Sequence, residues 1–323
     1  MIRFLVRRLL WAIVLFLAAT ILTYVIFFVI PADPAALSAG HGATAQDVAT
    51  IRHHLHLDEP VYEQYGRWVW NLVGHQSLGE SFVNGQSVNG IVGRAAPVTA
   101  SIVVGGAVFW LLLAIPIGVA SAYRPRSLVD RAGMAFVLVG ISAHPVWIGL
   151  VLSYVFGYKL RATPISGYCD FFNPSTAASC GGPVDWAYHL ILPWATFALL
   201  FAALYVRLIR AAVIETMNED YVRTARAKGA SERRVLLAHV LRNAMLPVVT
   251  ILGLDTGIAL GGAIFTERVY GLPGLGRELL QAYDRVDLPV ITGVVVFAAT
   301  CVIVVNLVVD VLYAVLDPRI RLA

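Results

Sequence analysis

Six long apolar stretches dominate the pattern of hydrophobic and polar positions along the chain. Each has roughly 20 or more largely apolar residues, the length that an α-helix rising 1.5 Å per residue needs to cross a bilayer. The runs are unbroken, whereas strands of a transmembrane barrel alternate apolar and polar residues. The pattern therefore predicts an all-α, polytopic membrane protein with six transmembrane helices, at residues 9–30, 95–123, 132–158, 186–206, 243–266 and 288–316.

The composition agrees with a membrane protein and excludes several other classes. Hydrophobic residues make up 59% of the 323 residues and charged residues 14%, far from the balance of a soluble domain. Three cysteines and aperiodic glycines exclude a disulfide-rich secreted scaffold and collagen. The first stretch, residues 9–30, exceeds the roughly 7–15 apolar residues of a signal peptide, so we expect it to remain as an anchor.

Lysine and arginine are distributed unevenly between the segments that connect the spans. With the N-terminus in the cytoplasm, 16 of the 24 basic residues fall in cytoplasmic segments and 8 on the other side. Because basic residues are enriched in cytoplasmic loops, both termini are predicted to be cytoplasmic. This bias also accounts for the net charge of +4 without nucleic-acid binding.

The spans and their connections divide the chain into predicted regions. They are the N-terminus with the first span (1–30), an extracytoplasmic loop with short helices (31–94), the other five spans (95–316) with a cytoplasmic segment (207–242), and a cytoplasmic tail (317–323). Within the third span, His144 precedes Pro145, which predicts a kink.

The first loop contains a predicted amphipathic helix at residues 61–72. Four of its apolar residues are spaced to share one face: Val61, Tyr65, Trp68 and Leu72. Trp68 and Trp70 favour a position at the membrane interface, where tryptophan is enriched. Packing of this helix on the other loops is the alternative.

The cytoplasmic segment is predicted to form a helix, a glycine turn and a second helix. Gly229 accepts the left-handed backbone that ends a helix, and Ser231 is a suitable start for the next one. Arg223, Arg226 and Lys228 lie among small residues, a pattern that suits insertion into a partner's groove. A solvated basic loop near anionic lipid is the alternative.

The same segment resembles a known family. The run Asp220-Tyr221-Val222-Arg223-Thr224-Ala225-Arg226-Ala227-Lys228-Gly229-Ala230-Ser231, followed by Leu246-Pro247, is similar to the cytoplasmic loop of ABC-importer permease subunits. Its Arg-Thr-Ala form resembles the B-type oligopeptide and dipeptide permease branch of the binding-protein-dependent inner-membrane family. Three further stretches resemble that branch: residues 7–35, 266–277 and 310–321.

The resemblance implies a type I importer permease fold and a set of partners. These would be a second homologous permease chain, two ATPase subunits that bind ATP and Mg, an extracytoplasmic substrate-binding protein, a peptide substrate and the lipid of a bacterial inner membrane. It also implies that Tyr221 and the residues from Arg223 to Ser231 dock into an ATPase subunit. The chain would be a transporter subunit that carries no cofactor of its own.

The sequence motifs also predict that the chain has no ATPase site. A phosphate-binding loop needs Gly-Lys-Ser/Thr, and the chain's lysines, Lys159 and Lys228, are followed by leucine and glycine. No catalytic motif was found, so we expect no enzymatic activity. The histidines at 53, 54 and 56 are expected to be ordinary surface residues rather than metal ligands.

Asp255 lies in the middle of the fifth predicted span, where a charged side chain is expensive. Gly253, Gly257 and Gly261 form a small-residue stripe on the other side of this helix. We therefore expect the glycines to pack on a neighbour and Asp255 to face the translocation path, where it could meet a peptide ammonium group. Burial of Asp255 against a polar group of another helix is the alternative.

Two alternative functions remain open at this stage. One is an ABC permease for another solute such as nickel or glutathione. The other is an ion-coupled secondary transporter that uses Asp255.

Cys169 and Cys180 fall in the second extracytoplasmic loop, eleven positions apart. Because that side of the membrane is oxidising, we expect a disulfide between them. Cys301 lies in the last span and is expected to be a packed thiol.

Overall fold

The computed structural model describes residues 2–29, 35, 44–54, 58–172 and 180–316, and most of them are helical. Within these ranges the only β-structure is an isolated bridge between Glu80 and Ser87. The helices are α1 (Ile2–Tyr24), α2 (Ala45–His54), α3 (Val61–Gly74), α4 (Val88–Tyr123), α5 (Leu128–Ser142), α6 (Pro145–Leu152), α7 (Pro183–Met217), α8 (Asp220–Ala227), α9 (Glu232–Arg234), α10 (Leu241–Ala244), α11 (Leu246–Tyr270), α12 (Leu275–Asp284) and α13 (Leu288–Leu316). Helices α1, α6 and α9 continue into π-helical turns at Val25–Val29, Ser153–Lys159 and Val235–Val240. The all-α prediction is confirmed.

The described helices include four that are individually long and apolar enough to cross a membrane. Their spanning parts are Val6–Val29, Val88–Tyr123, Pro183–Met217 and Leu288–Val311. Two bent helix pairs bring the number of candidate spans to as many as six, when each pair is counted as one span. The protein is therefore a multi-pass membrane protein.

The third span is broken where a kink was expected. α5 and the pair formed by α6 with its π-helical turn meet at 108°. His144, with φ −77° and ψ 139°, is extended because the ring of Pro145 disfavours helical geometry in the preceding residue. The other bent pair runs Glu232–Ala244 and Leu246–Asp255, with an angle of 41°.

Helix α7 extends well beyond the predicted fourth span. The apolar run ends near residue 206, but the helix continues to Met217. Its last turns hold helix-favouring residues such as Ala211, Ala212 and Glu215. α7 therefore carries the chain from the predicted span into the polar segment without a break.

The chain divides into two compact units, Met1–Thr99 with Pro273–Leu307, and Ala100–Leu272 with Val308–Ala323. In the first unit, a hydrophobic core forms around the start of α4, α12 and the start of α13, and Phe27 and Phe28 pack against it. The buried Asp287 carboxylate accepts hydrogen bonds from the Ser81 hydroxyl and the Phe82 amide.

In the second unit, α7 packs against α5, α6 and α11. A cluster of buried aromatic rings joins α4 to α7: Trp110, Phe197, Phe201 and Tyr205. Stacking of Trp110 on Phe201, with centroids 4.6 Å apart, fixes these helices against each other.

Candidate coupling segment and polar sites of the spans

Helix α8 is an amphipathic helix held on the protein by one side. Val222 is 0% exposed, and α8 packs on the π-helical turn Val235–Val240. Ala225 and Arg226 are half-buried beside Val222. The remaining face is exposed, and its residues are Asp220, Tyr221, Arg223, Thr224, Ala227 and Lys228. The segment therefore presents small and charged side chains on an ordered helix.

The C-terminus of α8 has the predicted glycine turn. The Gly229 amide donates to the Arg226 carbonyl over 2.9 Å, and the Ala230 amide donates to the Ala225 carbonyl over 3.2 Å. Gly229 has φ +81°, a left-handed backbone that disfavours side chains with a β-carbon. The predicted helix stop is confirmed.

The next helix begins at the predicted position, but the Ser231 side chain does not cap it. Ser231 is extended, with φ −61° and ψ 146°, and its side chain makes no capping hydrogen bond. Its carbonyl accepts from the Val235 amide over 2.9 Å. The prediction of a helix start is confirmed, but the capping is by backbone alone.

Two polar contacts fix α8 to the chain that follows it. The Arg226 guanidinium donates to both oxygens of Glu232, over 2.9 and 3.3 Å. The side-chain amide of Asn243 donates to the Tyr221 hydroxyl over 2.7 Å. With the buried Val222, these contacts hold the helix at three points.

An ion pair that the sequence analysis missed joins α5 to α7. Arg210 Nε and a terminal guanidinium nitrogen donate to the two Asp130 oxygens, over 2.7 and 2.9 Å. The backbone amide of Arg126 also donates to the Asp130 carboxylate, over 2.8 Å. The Ser127 side chain caps α5 by accepting a hydrogen bond from the backbone amide of Asp130. The spacing Ser127-x-x-Asp130 indicates a helix start. Arg210 is 80 residues from Asp130 in the sequence, so no local pattern predicts that the two residues pair.

Asp255 of α11 lies against α7. The Tyr205 hydroxyl donates to Asp255 Oδ2 over 2.9 Å, and Asp255 is half-buried. A β-carbon on Gly253 would lie 2.9 Å from Val309, so this glycine permits close packing on α13. A β-carbon on Gly261 would meet nothing within 4 Å, so the expected packing stripe does not extend to it.

Cys169 and Cys180 are joined by a disulfide, with their Cα atoms 5.6 Å apart. His189 Nδ1 lies 3.2 Å from the Cys169 sulfur and 2.9 Å from the Asp185 carbonyl. Cys169, Cys180 and His189 lie close enough together to bind a metal ion. A cysteine binds a metal as its thiolate, however, and the two sulfurs of a disulfide are not thiolates.

Several residues used in the sequence analysis fall outside the described ranges. They are His56 and the stretches 31–34 and 317–321. His53 is exposed, with Nδ1 3.6 Å from Asp58.

Two family models match the chain and together span nearly all of it. The model for the binding-protein-dependent transport system inner membrane component matches residues 114–322, and the model for the N-terminal part of such membrane components matches residues 1–103. The chain therefore belongs to the family of inner membrane components of binding-protein-dependent transport systems. It is a permease subunit of a transporter complex, and such subunits are not themselves enzymes.

Curated relatives match over almost their full lengths. The chain is 37% identical over 315 residues to a putative peptide transport system permease protein of Brucella abortus, covering 98% of both chains. It is 37% identical over 337 residues to the dipeptide transport system permease protein of Escherichia coli, covering 99% of both. A putative peptide permease protein of Brucella suis is 37% identical over 324 residues, again with 99% of both covered.

Proposed function

We propose that the chain is the permease subunit of an ATP-driven importer of dipeptides or oligopeptides in a bacterial inner membrane. A second homologous permease completes the pathway, two ATPase subunits bind ATP and Mg, and an extracytoplasmic binding protein delivers the peptide. The near full-length similarity to proteins named as peptide permeases supports this cargo.

The exposed face of α8 is the proposed docking surface for an ATPase subunit. The observation that carries this proposal is the three-point attachment of α8, which leaves Thr224 and Ala227 exposed on an ordered helix. Small side chains permit the close backbone approach that a helix seated in a groove requires. Arg223 and Lys228 on the same face suit an acidic groove.

The continuity of α7 gives a route for the motion. Two residues, Asn218 and Glu219, separate α7 from α8, so a displacement of α8 acts on the end of a 35-residue helix. The Arg210–Asp130 ion pair connects that helix to α5. Closure of the ATPase subunits would therefore move several spans together and alternate access to the pathway.

The docking surface is tested by Ala227→Glu, with Ala227→Ser as the matched control. The glutamate places a bulky charge on the exposed face, whereas serine keeps the side chain small. We expect Ala227→Glu to abolish peptide uptake and copurification of the ATPase subunits while the permease stays in the membrane. Normal uptake and normal copurification in Ala227→Glu would refute the docking assignment.

The half-buried position of Ala225 makes it less suitable for this test. A charge there would disturb the attachment of α8 as well as any partner. A charged residue at Gly229 would have the same drawback, because it would strain the left-handed turn.

The cargo is tested independently of the docking surface. Uptake of labelled dipeptides and longer peptides is compared with uptake of nickel and glutathione, in cells with and without the transporter. We expect transporter-dependent uptake of peptides only. Uptake of nickel or glutathione without peptide uptake would replace the cargo and leave the permease assignment intact.

Asp255 is the proposed contact for the peptide ammonium group. Its carboxylate is half-buried and is held at one oxygen by the Tyr205 hydroxyl. We expect Asp255→Asn to reduce uptake by removing the charge while keeping a similar shape. Unchanged uptake of every peptide tested would remove Asp255 from the pathway.

A further inference from the structure

Helix α3 has three distinct faces, and one of them is an uncovered apolar surface. The face toward α1 carries Tyr65, Trp68 and Leu72 at helical spacing. A second, polar face carries Gln64, Arg67 and Asn71. The third, here called the outer apolar face, consists of Tyr62, Gly66, Val69, Trp70 and Val73.

Apart from the half-buried Val69, the outer apolar face is exposed despite its composition. Tyr62 is 72% exposed, Trp70 67% and Val73 62%. Contiguous apolar side chains on one face of a helix indicate a contact with lipid or with another protein. The identity of that contact depends on where α3 lies relative to the membrane.

Helix α3 contacts α1 well inside the candidate span of that helix. Thr20 of α1 shares a hydrogen bond of 3.0 Å with the Tyr65 hydroxyl, and the Tyr24 hydroxyl donates to Gln64 over 3.1 Å. The Tyr24 ring also contacts the rings of Tyr65 and Trp68, with centroids 5.5 and 5.6 Å away. The α3 contacts thus fall within the candidate span and not beyond its end.

The distance along α1 makes this placement quantitative. The apolar span of α1 runs Val6–Val29, so Tyr24 and Thr20 lie five and nine residues inside its C-terminal end. At roughly 1.5 Å per residue these positions are about 7 and 13 Å from that end. A helix with a diameter of about 10 Å that touches both positions lies beside the candidate span, not above its end.

We propose that α3 is an interfacial helix whose outer apolar face is embedded in membrane lipid, in the leaflet at the C-terminal end of α1. Tyrosine and tryptophan prefer this depth because each has an apolar ring and a polar group. Trp70 and Tyr62 supply such rings on the outer apolar face. Val69 and Val73 contact the acyl chains.

The polar face supports the same orientation. Arg67 forms an ion pair of 2.6 Å with Glu59, and the Gln64 side-chain amide donates to the Glu59 carbonyl over 2.7 Å. These contacts tie the polar face to the chain preceding α3. A helix with one apolar and one charged face lies in the plane of the interface, with the charges toward water. The contact of α3 with lipid is independent of the cargo.

Site-directed spin labelling of the assembled transporter tests the proposal. Cys301, the free cysteine of the described chain, is replaced by serine, and single cysteines are introduced by Val73→Cys or Asn71→Cys. Each nitroxide is then measured in phospholipid nanodiscs for collision with molecular oxygen and with a water-soluble nickel chelate. The two positions are close along α3 but lie on its outer apolar and polar faces, so each is the matched control of the other.

We expect the label at 73 to collide several-fold more with oxygen than with the chelate, relative to the label at 71. Equal access of both labels to the chelate would place α3 in water and overturn the proposal. Low access of the label at 73 to both reagents would place a protein on the outer apolar face and would also overturn it. Copurification of each labelled variant with the other transporter subunits verifies that the complex is intact.

Discussion

Helices α8 and α3 are both short amphipathic helices held on the protein by one side, yet their exposed surfaces differ in chemistry. α8 is anchored by the buried Val222 and an ion pair, and it exposes small and charged residues. α3 is anchored by the aromatic contacts of Tyr65 and Trp68, and it exposes Tyr62 and Trp70. The exposed chemistry of each matches its proposed partner, a protein groove for α8 and lipid for α3.

The comparison shows that anchoring and function use different residues on the same helix. In α8, the residue that is most buried is next to residues proposed to dock. In α3, Trp68 and Trp70 are two positions apart and lie on different faces. A substitution on the anchoring face should change stability, whereas one on the exposed face should change only the interaction with the partner.

The largest expected effect is that of Val222→Asp. An ionised carboxylate at this fully buried position costs several kcal/mol, so α8 should detach from the turn Val235–Val240. Trypsin should then cleave rapidly at Arg223, Arg226 and Lys228 in the isolated permease, and peptide uptake should be lost.

Thr224→Asp is the control, because it adds the same charge on the exposed face of α8. We expect it to weaken ATPase binding while the isolated permease keeps the trypsin pattern of the wild type. Identical cleavage patterns for Val222→Asp and wild type would show that Val222 is not the anchor.

A smaller effect is expected for Trp68→Ala in α3. Loss of the ring contact with Tyr24 should remove about 1 kcal/mol of aromatic stabilisation in addition to its packing area. The Tm measured in detergent should fall by a few degrees. Trp70→Ala should leave the Tm nearly unchanged, since the Trp70 ring is mostly exposed. An equal loss in the two variants would contradict the division of α3 into an anchoring face and an exposed face.

Local signals accounted for much of the cytoplasmic segment predicted at residues 207–242. Gly229 was predictable as a helix stop because only its own backbone geometry is involved. Ser231 marked the next helix start, although its side chain makes no capping hydrogen bond. The kink at Pro145 was also predictable from the ring of proline, but the angle of 108° was not, because it depends on what the two helices pack against.

Other parts of the segment were beyond sequence reasoning. The end of α7 at Met217 was missed because hydropathy marks where a span leaves the membrane and not where its helix ends. The docking prediction named Tyr221 and the residues from Arg223 to Ser231 without separating buried from exposed side chains. The buried side, with Val222 and the half-buried Ala225, became visible only through the packing of α8 on the chain that follows it.

The amino-acid sequence by itself determined the membrane class, the positions of the apolar helices, and the glycine turn after α8, because hydrophobicity and backbone preference act within a few residues. Tertiary structure alone decided which polar groups meet: Arg210 with Asp130, Tyr205 with Asp255, and Ser81 with Asp287. These pairs are separated by 80, 50 and 206 positions. Many other donors and acceptors would be chemically equivalent partners, so only the packing of the helices selects among them.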